Sequence, residues 1–218
     1  MDKDIGSTSD DKRTPGTLGA RGAARRRFAR AGVGATGIVL TLSSKGAMAN
    51  ACSSPSGFVS ASLKGSSGPA FSCVSNGSHG YWKNHQEEWA ITGVKPTDLF
   101  GAHFDTGIAY AHLKQIPLIG VLEPNAYFDA LAQKEGKKKG QVPPGFDPNN
   151  VAMQTIAAYL NARQAMATGA QGAVLTPQAV KKIWSDFVFD GSYLPSAGAP
   201  RWGGAQIASY LEGTFQRQ

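Results

Sequence analysis

Thr176-Pro-Gln-Ala-Val-Lys-Lys-Ile-Trp-Ser-Asp-Phe-Val-Phe-Asp-Gly191 is the stretch that decides the fold class. Thr176 is an N-cap residue and Pro177 sits at the first helical position, where its missing N–H costs nothing. Val180, Ile183, Trp184, Phe187 and Val188 then recur three and four apart, the spacing of one helix face, and Gly191 is a stop signal. Working outward, the same pattern predicts a helix from Asn150 to about Thr168, with Met153, Ile156, Ala157, Leu160 and Gln164 on one face and Gly169 as its C-cap. A shorter helix is expected after Pro124, carrying Tyr127, Phe128 and Leu131 and ending before Gly136. A last one is expected over 205–211, through Ile207, Tyr210 and Leu211. Residues 134–148, with four Lys, three Gly and two of their Pro side by side, read as a basic surface loop.

Before residue 79 the text changes. Residues 50–78 are rich in Ser and Gly, with two short apolar alternations over 57–63 and 69–75 and a turn-forming run Lys64-Gly-Ser-Ser-Gly68 between them. This predicts a β-hairpin. The chain has two cysteines, Cys52 and Cys73, and in an oxidising compartment an even count reads as one disulfide, worth about 3 kcal/mol for a loop of this length. The expected fold class is therefore α+β, mainly α: a small disulfide-stapled hairpin followed by a bundle of about five short helices over 79–218.

Residues 1–49 have the grammar of a cleaved export signal. Arg25-Arg-Arg-Phe-Ala-Arg30 precedes a mild, glycine-diluted apolar run over 31–42, and Ala47-Met48-Ala49 offers small residues at a cleavage position. The paired arginines followed by Phe and a basic residue resemble a twin-arginine signal. About twelve apolar residues are too few to span a bilayer, which takes about twenty, and no transmembrane segment is expected in the mature chain. The leader also explains the charge. Residues 1–49 hold nine Lys/Arg and four Asp/Glu, and the remainder holds thirteen and eleven, so the body is nearly neutral and nucleic-acid binding loses its electrostatic support.

The densest chemistry lies in His79-Gly-Tyr-Trp-Lys-Asn-His-Gln-Glu-Glu-Trp89. If Ser78 caps a helix starting near Gly80, then Trp82, His85 and Trp89 form one packing stripe, with Lys83, Gln86 and Glu87 facing water. Three other readings compete. A metal site would draw on His79, His85, His103 and Asp105, although no H-E-x-x-H or C-x-x-C spacing is present. A carbohydrate platform would use Tyr81, Trp82 and Trp89. Acid–base catalysis has little support: Glu87 and Glu88 are adjacent and point about 100° apart on a helix, and no G-x-S-x-G elbow occurs. No catalytic residue is assigned, and no cofactor is expected apart from a metal at the histidines.

Cys73 followed by Ser78-His79-Gly80-Tyr81-Trp82-Lys83-Asn84-His85 resembles a motif of secreted bacterial proteins, Gly-Tyr-Trp-Lys-Asn/Thr-His after a Cys. Runs similar to Ala157-Ala-Tyr-Leu-Asn-Ala162 and Ile207-Ala-Ser-Tyr-Leu211 follow in those proteins, and a Pro usually stands where this chain has Gln86. That family has no established activity, so the resemblance implies an extracytoplasmic location and transfers no site residue. The expectation is an exported, non-catalytic envelope or extracellular protein that acts by self-assembly or by attachment to a cell-surface polymer. A periplasmic metal protein or metal-dependent enzyme and a carbohydrate-binding module are the alternatives.

Overall fold

The helix at Thr176 forms as its sequence dictates. In the computed structural model, which describes residues 54–64, 77–170 and 174–215, Thr176 Oγ1 accepts from the Ala179 N–H at 3.1 Å. The helix runs Pro177–Asp190, and Gly191 closes it at φ 70°. In chain order the α-helices among the described residues are α1 (Pro55–Lys64), α2 (His79–Asn84), α3 (Trp89–Thr92), α4 (Phe100–His103), α5 (Leu118–Leu122), α6 (Pro124–Lys134), α7 (Val151–Thr168), α8 (Pro177–Asp190) and α9 (Gly204–Gly213).

The organising element is α7. Its sequence suggested one apolar face, but Val151, Ala152, Ile156, Ala157, Ala158, Tyr159, Leu160, Ala162 and Ala165 are all buried, covering its whole circumference. A helix buried all round belongs at the centre, and its five buried alanines let neighbours approach closely. It packs against α2, α3, α5, α8 and α9. Its start is unusual. Asn149 and Asn150 both adopt left-handed backbone (φ 63° and 59°), which Asn tolerates better than most residues. Asp147 supplies the cap, its two carboxylate oxygens accepting from the Ala152 and Met153 N–H groups at 2.9 and 3.0 Å.

The expected α+β class is overturned. Residues 55–64, which include the first expected strand, form α1, and among the described residues there is no strand, only the isolated bridges Leu99–Pro117 and Tyr193–Trp202. The physical reason is local and tertiary together. Ser54 accepts from the Gly57 N–H at 3.3 Å and Pro55 is preset for the first helical position, so a helix start outweighs the alternation that follows. A strand would send Phe58 and Val59 to opposite faces, yet both are buried, with the Phe58 ring edge-on to Trp202 and Tyr210. No disulfide occurs among the described residues. The second expected strand (69–75), Cys52, Cys73 and the whole leader lie outside them.

The helices after Pro124, at Asn150 and at 205–211 are present. Sequence reading missed α3, α4 and α5, single turns too short to show a periodicity. Among the described residues no helix is long and apolar enough to cross a membrane.

Candidate functional site

The aromatic stretch 79–89 is the first candidate. Ser78 does cap it, its Oγ accepting from the Tyr81 N–H at 3.1 Å. The helix, however, ends at Asn84. His85 turns out of helical geometry (φ −123°, ψ 60°), a single 3-10 turn covers Gln86–Glu88, and α3 starts afresh at Trp89. This chain makes that break with Gln86, which carries none of the constraint a proline would impose. Trp82 and Trp89 therefore do not share a continuous stripe, but both are fully buried and meet edge-to-face at 6.3 Å. The Trp89 indole N–H donates to the Trp82 carbonyl at 2.8 Å, and the Trp82 indole N–H donates to Asn161 Oδ1 at 3.0 Å. Asn161 also accepts from the Gly77 N–H and donates to the Gly77 carbonyl, so one buried amide on α7 makes three bonds to the start of this stretch.

The polar members of the stretch are committed as well. The His85 ring N–H donates to the Tyr81 carbonyl at 2.9 Å and the ring stacks on Tyr81, with centroids 4.3 Å apart. Glu88 accepts from the Tyr81 hydroxyl, which together with burial pushes that phenol up to about 12. Lys83 pairs with Glu123 at 3.6 Å. His79 is half-buried at the first position of α2.

His103 and Asp105 lie elsewhere, the first closing α4 and the second just beyond it. They line a cleft of about 540 Å³ whose opposite wall is Lys181, Lys182, Trp184, Ser185 and Asp186 on α8. The His103 ring donates to Asp98 Oδ2 at 3.1 Å, and Asp98 also accepts from the Lys95 N–H at 2.9 Å. These two donors, the backbone one foremost, hold the Asp98 carboxyl below its usual range. Tyr159 of α7 lies behind, its ring 5.8 Å from that of His103 and 5.3 Å beneath the Lys181 ammonium. The Trp184 indole N–H donates to the Asp105 carbonyl and ties the two walls together. Among the described residues, no three His, Cys, Asp or Glu side chains form a group able to hold a metal ion. His112, the remaining histidine, donates to the Phe146 carbonyl at 2.7 Å.

A second candidate follows α6. The helix ends in a Schellman motif: the Gly136 N–H donates to the Gln133 carbonyl at 3.0 Å and the Lys137 N–H to the Ala132 carbonyl at 2.8 Å. Gly136 supplies the left-handed residue, φ 74°. Three residues on, the Gly140 N–H donates to Asp129 Oδ1 at 2.9 Å, and a Cβ there would lie 2.0 Å from the Phe128 carbonyl oxygen. Within the basic loop of the sequence, the segment 137–140 is thus a tongue pinned to α6 at both of its ends. Lys134, Lys138 and Lys139 are exposed and make no ion pair among the described residues, while Lys137 pairs with Glu135 at 2.7 Å. The sequence showed these lysines but not the pins, which need Asp129 and Gly140 to be neighbours.

Comparison with protein-family models, with curated proteins and with solved structures finds no match to this chain.

Proposed function

We propose that this chain is an exported, non-catalytic protein of the cell envelope or extracellular space, acting by attachment to an anionic cell-surface polymer. The observation that carries the reading is the pinned tongue. Lys137, Lys138 and Lys139 stand in a short closed loop between the Lys137–Ala132 and Gly140–Asp129 bonds. Ordering the loop in the free protein reduces the entropy that would otherwise be lost when a polyanion binds. The twin-arginine-like leader over residues 1–49 and the resemblance to secreted bacterial proteins support the export half of the reading.

The test is retention of the full chain on immobilised poly(glycerol phosphate) across a salt series. The expected result is binding at low ionic strength that weakens as salt rises, and weakens further in the double variant Lys138→Gln/Lys139→Gln. Equal retention of wild type and variant would sink the reading.

Self-assembly is the second reading, favoured by one observation. Ile108 is 97% exposed and Phe189 63%, and both adjoin Gly107, where an added Cβ would lie 3.7 Å from the Phe189 ring. Two side chains fall well short of the roughly 800 Å² per partner that a stable interface buries, which ranks attachment first. Size-exclusion chromatography across concentration, with Ile108→Ser as the control, separates the two.

A further inference from the structure

The cleft between α4 and α8 shares no residue with the tongue, and its side chains are arranged to receive a ligand of a particular charge pattern. Lys181 and Ser185 stand four apart on α8 and so present the same face. Lys182 and Asp186 neutralise each other, the ammonium lying 3.0 and 2.9 Å from the two carboxylate oxygens. The His103 ring is spent on Asp98 at 3.1 Å, which leaves one cation, one anion and one hydroxyl. The Lys181 ammonium rests over the Tyr159 ring and meets no carboxylate among the described residues. Asp105 is fixed through its backbone carbonyl by Trp184, while its carboxylate makes no ion pair or hydrogen bond among the described residues. The Ser185 hydroxyl is likewise without a partner among them.

These groups open onto one volume of about 540 Å³, within the range of small-molecule pockets. A simple anion attracted by Lys181 would be opposed by Asp105, and a simple cation drawn to Asp105 would be opposed by Lys181. A ligand carrying both charges satisfies both walls. We propose that the cleft binds a small zwitterion, an α-amino acid or short peptide, with its carboxylate on Lys181 and Ser185 and its ammonium on Asp105. Because the charges lie in a solvent-open cleft, the affinity is weak, on the order of millimolar.

The experiment is an NMR titration of the full chain with alanylalanine, followed at the Trp184 indole N–H and the Ser185 amide. N-acetyl-alanylalanine and alanylalanine amide serve as probes lacking one charge each. The expected result is a saturable shift at both positions with the dipeptide and roughly fivefold weaker binding of each capped form. Lys181→Gln and Asp105→Asn each weaken dipeptide binding by about the same factor, and Lys181→Arg retains it. Unchanged thermal melts show that these variants are folded. The proposal is overturned if the dipeptide produces no shift, if the capped forms bind equally well, or if inorganic phosphate binds at the same place and binds better after Asp105→Asn. The last outcome would make the cleft a plain anion site.

Discussion

The node around Trp82 and the cleft around Lys181 are both built against α7, and they use polar atoms in opposite ways. At the node, one indole N–H is taken by Asn161 and the other by the Trp82 carbonyl, while the Asn161 amide is also committed to Gly77. In the cleft, the carboxylate of Asp105 and the hydroxyl of Ser185 meet no partner among the described residues. The node closes its polar atoms on one another. The cleft is the richer in unmet hydrogen-bonding and charge capacity, and that capacity is what a ligand can use. Holding polar groups and leaving them available are therefore separate properties in this protein.

The sharpest way to break the comparison is to truncate the node. Trp82→Ala should cost about 3–5 kcal/mol by loss of a fully buried indole, read as a lowered midpoint in urea. Asn161→Leu should cost about 2–3 kcal/mol because the Trp82 and Gly77 donors are left buried and unpaired. By contrast, Lys181→Ala should stay within about 0.5 kcal/mol of wild type. Similar costs at all three positions would mean that the node holds its polar groups no more tightly than the cleft does.

A smaller effect is expected at the tongue. Gly140→Ala places a methyl against the Phe128 carbonyl, so the loop must shift, at a cost of about 1–3 kcal/mol. Hydrogen exchange should show the Gly140 amide, now separated from Asp129, losing its protection. Retained protection would show that the loop accepts a Cβ with the bond to Asp129 intact.

The smallest effect concerns pH. Tyr81 is raised to about 12 by its bond to Glu88 and by burial, and Tyr110 to about 12 by burial and the Asp147 charge. Below about pH 10 both phenols keep their protons in the folded and unfolded chain. Above it the unfolded chain releases them first, so stability falls as pH rises from about 10 to 12. A urea midpoint constant across that window would contradict these assignments. Glu88→Gln should bring one tyrosine back toward its ordinary value in an ultraviolet titration.

The sequence made α6, α7, α8 and α9 legible because each carries several turns of periodic apolar residues with a cap or a stop. It misled at α1, where Val59, Ala61 and Leu63 alternate with serines as in a strand, while the deciding signals, Ser54-Pro55 and the ring contacts of Phe58, are a cap and a tertiary contact. It also misled at His85, where a helix expected to reach Trp89 breaks after Asn84, since nothing in Gln86 forbids continuation. The node was half legible: the two tryptophans announced packing, but Asn161 looked like an ordinary member of α7. In the cleft, His103 and Asp105 were singled out for a metal, whereas Lys181 and Ser185 lie outside the apolar face that marked α8 as a helix. Nearly eighty residues separate the two walls, and spacing along a chain carries no information about that meeting.

The pinned tongue has a consequence for how the protein withstands proteases. Its lysines offer trypsin-like enzymes a cut after Lys138, yet the helices on the two sides of that cut, α2, α3 and α5 before it and α7 after it, share a buried interface. The Trp82–Asn161 bond also joins the two pieces. A chain nicked there is expected to stay together as a folded, non-covalent pair, read as co-elution of the two fragments in size-exclusion chromatography.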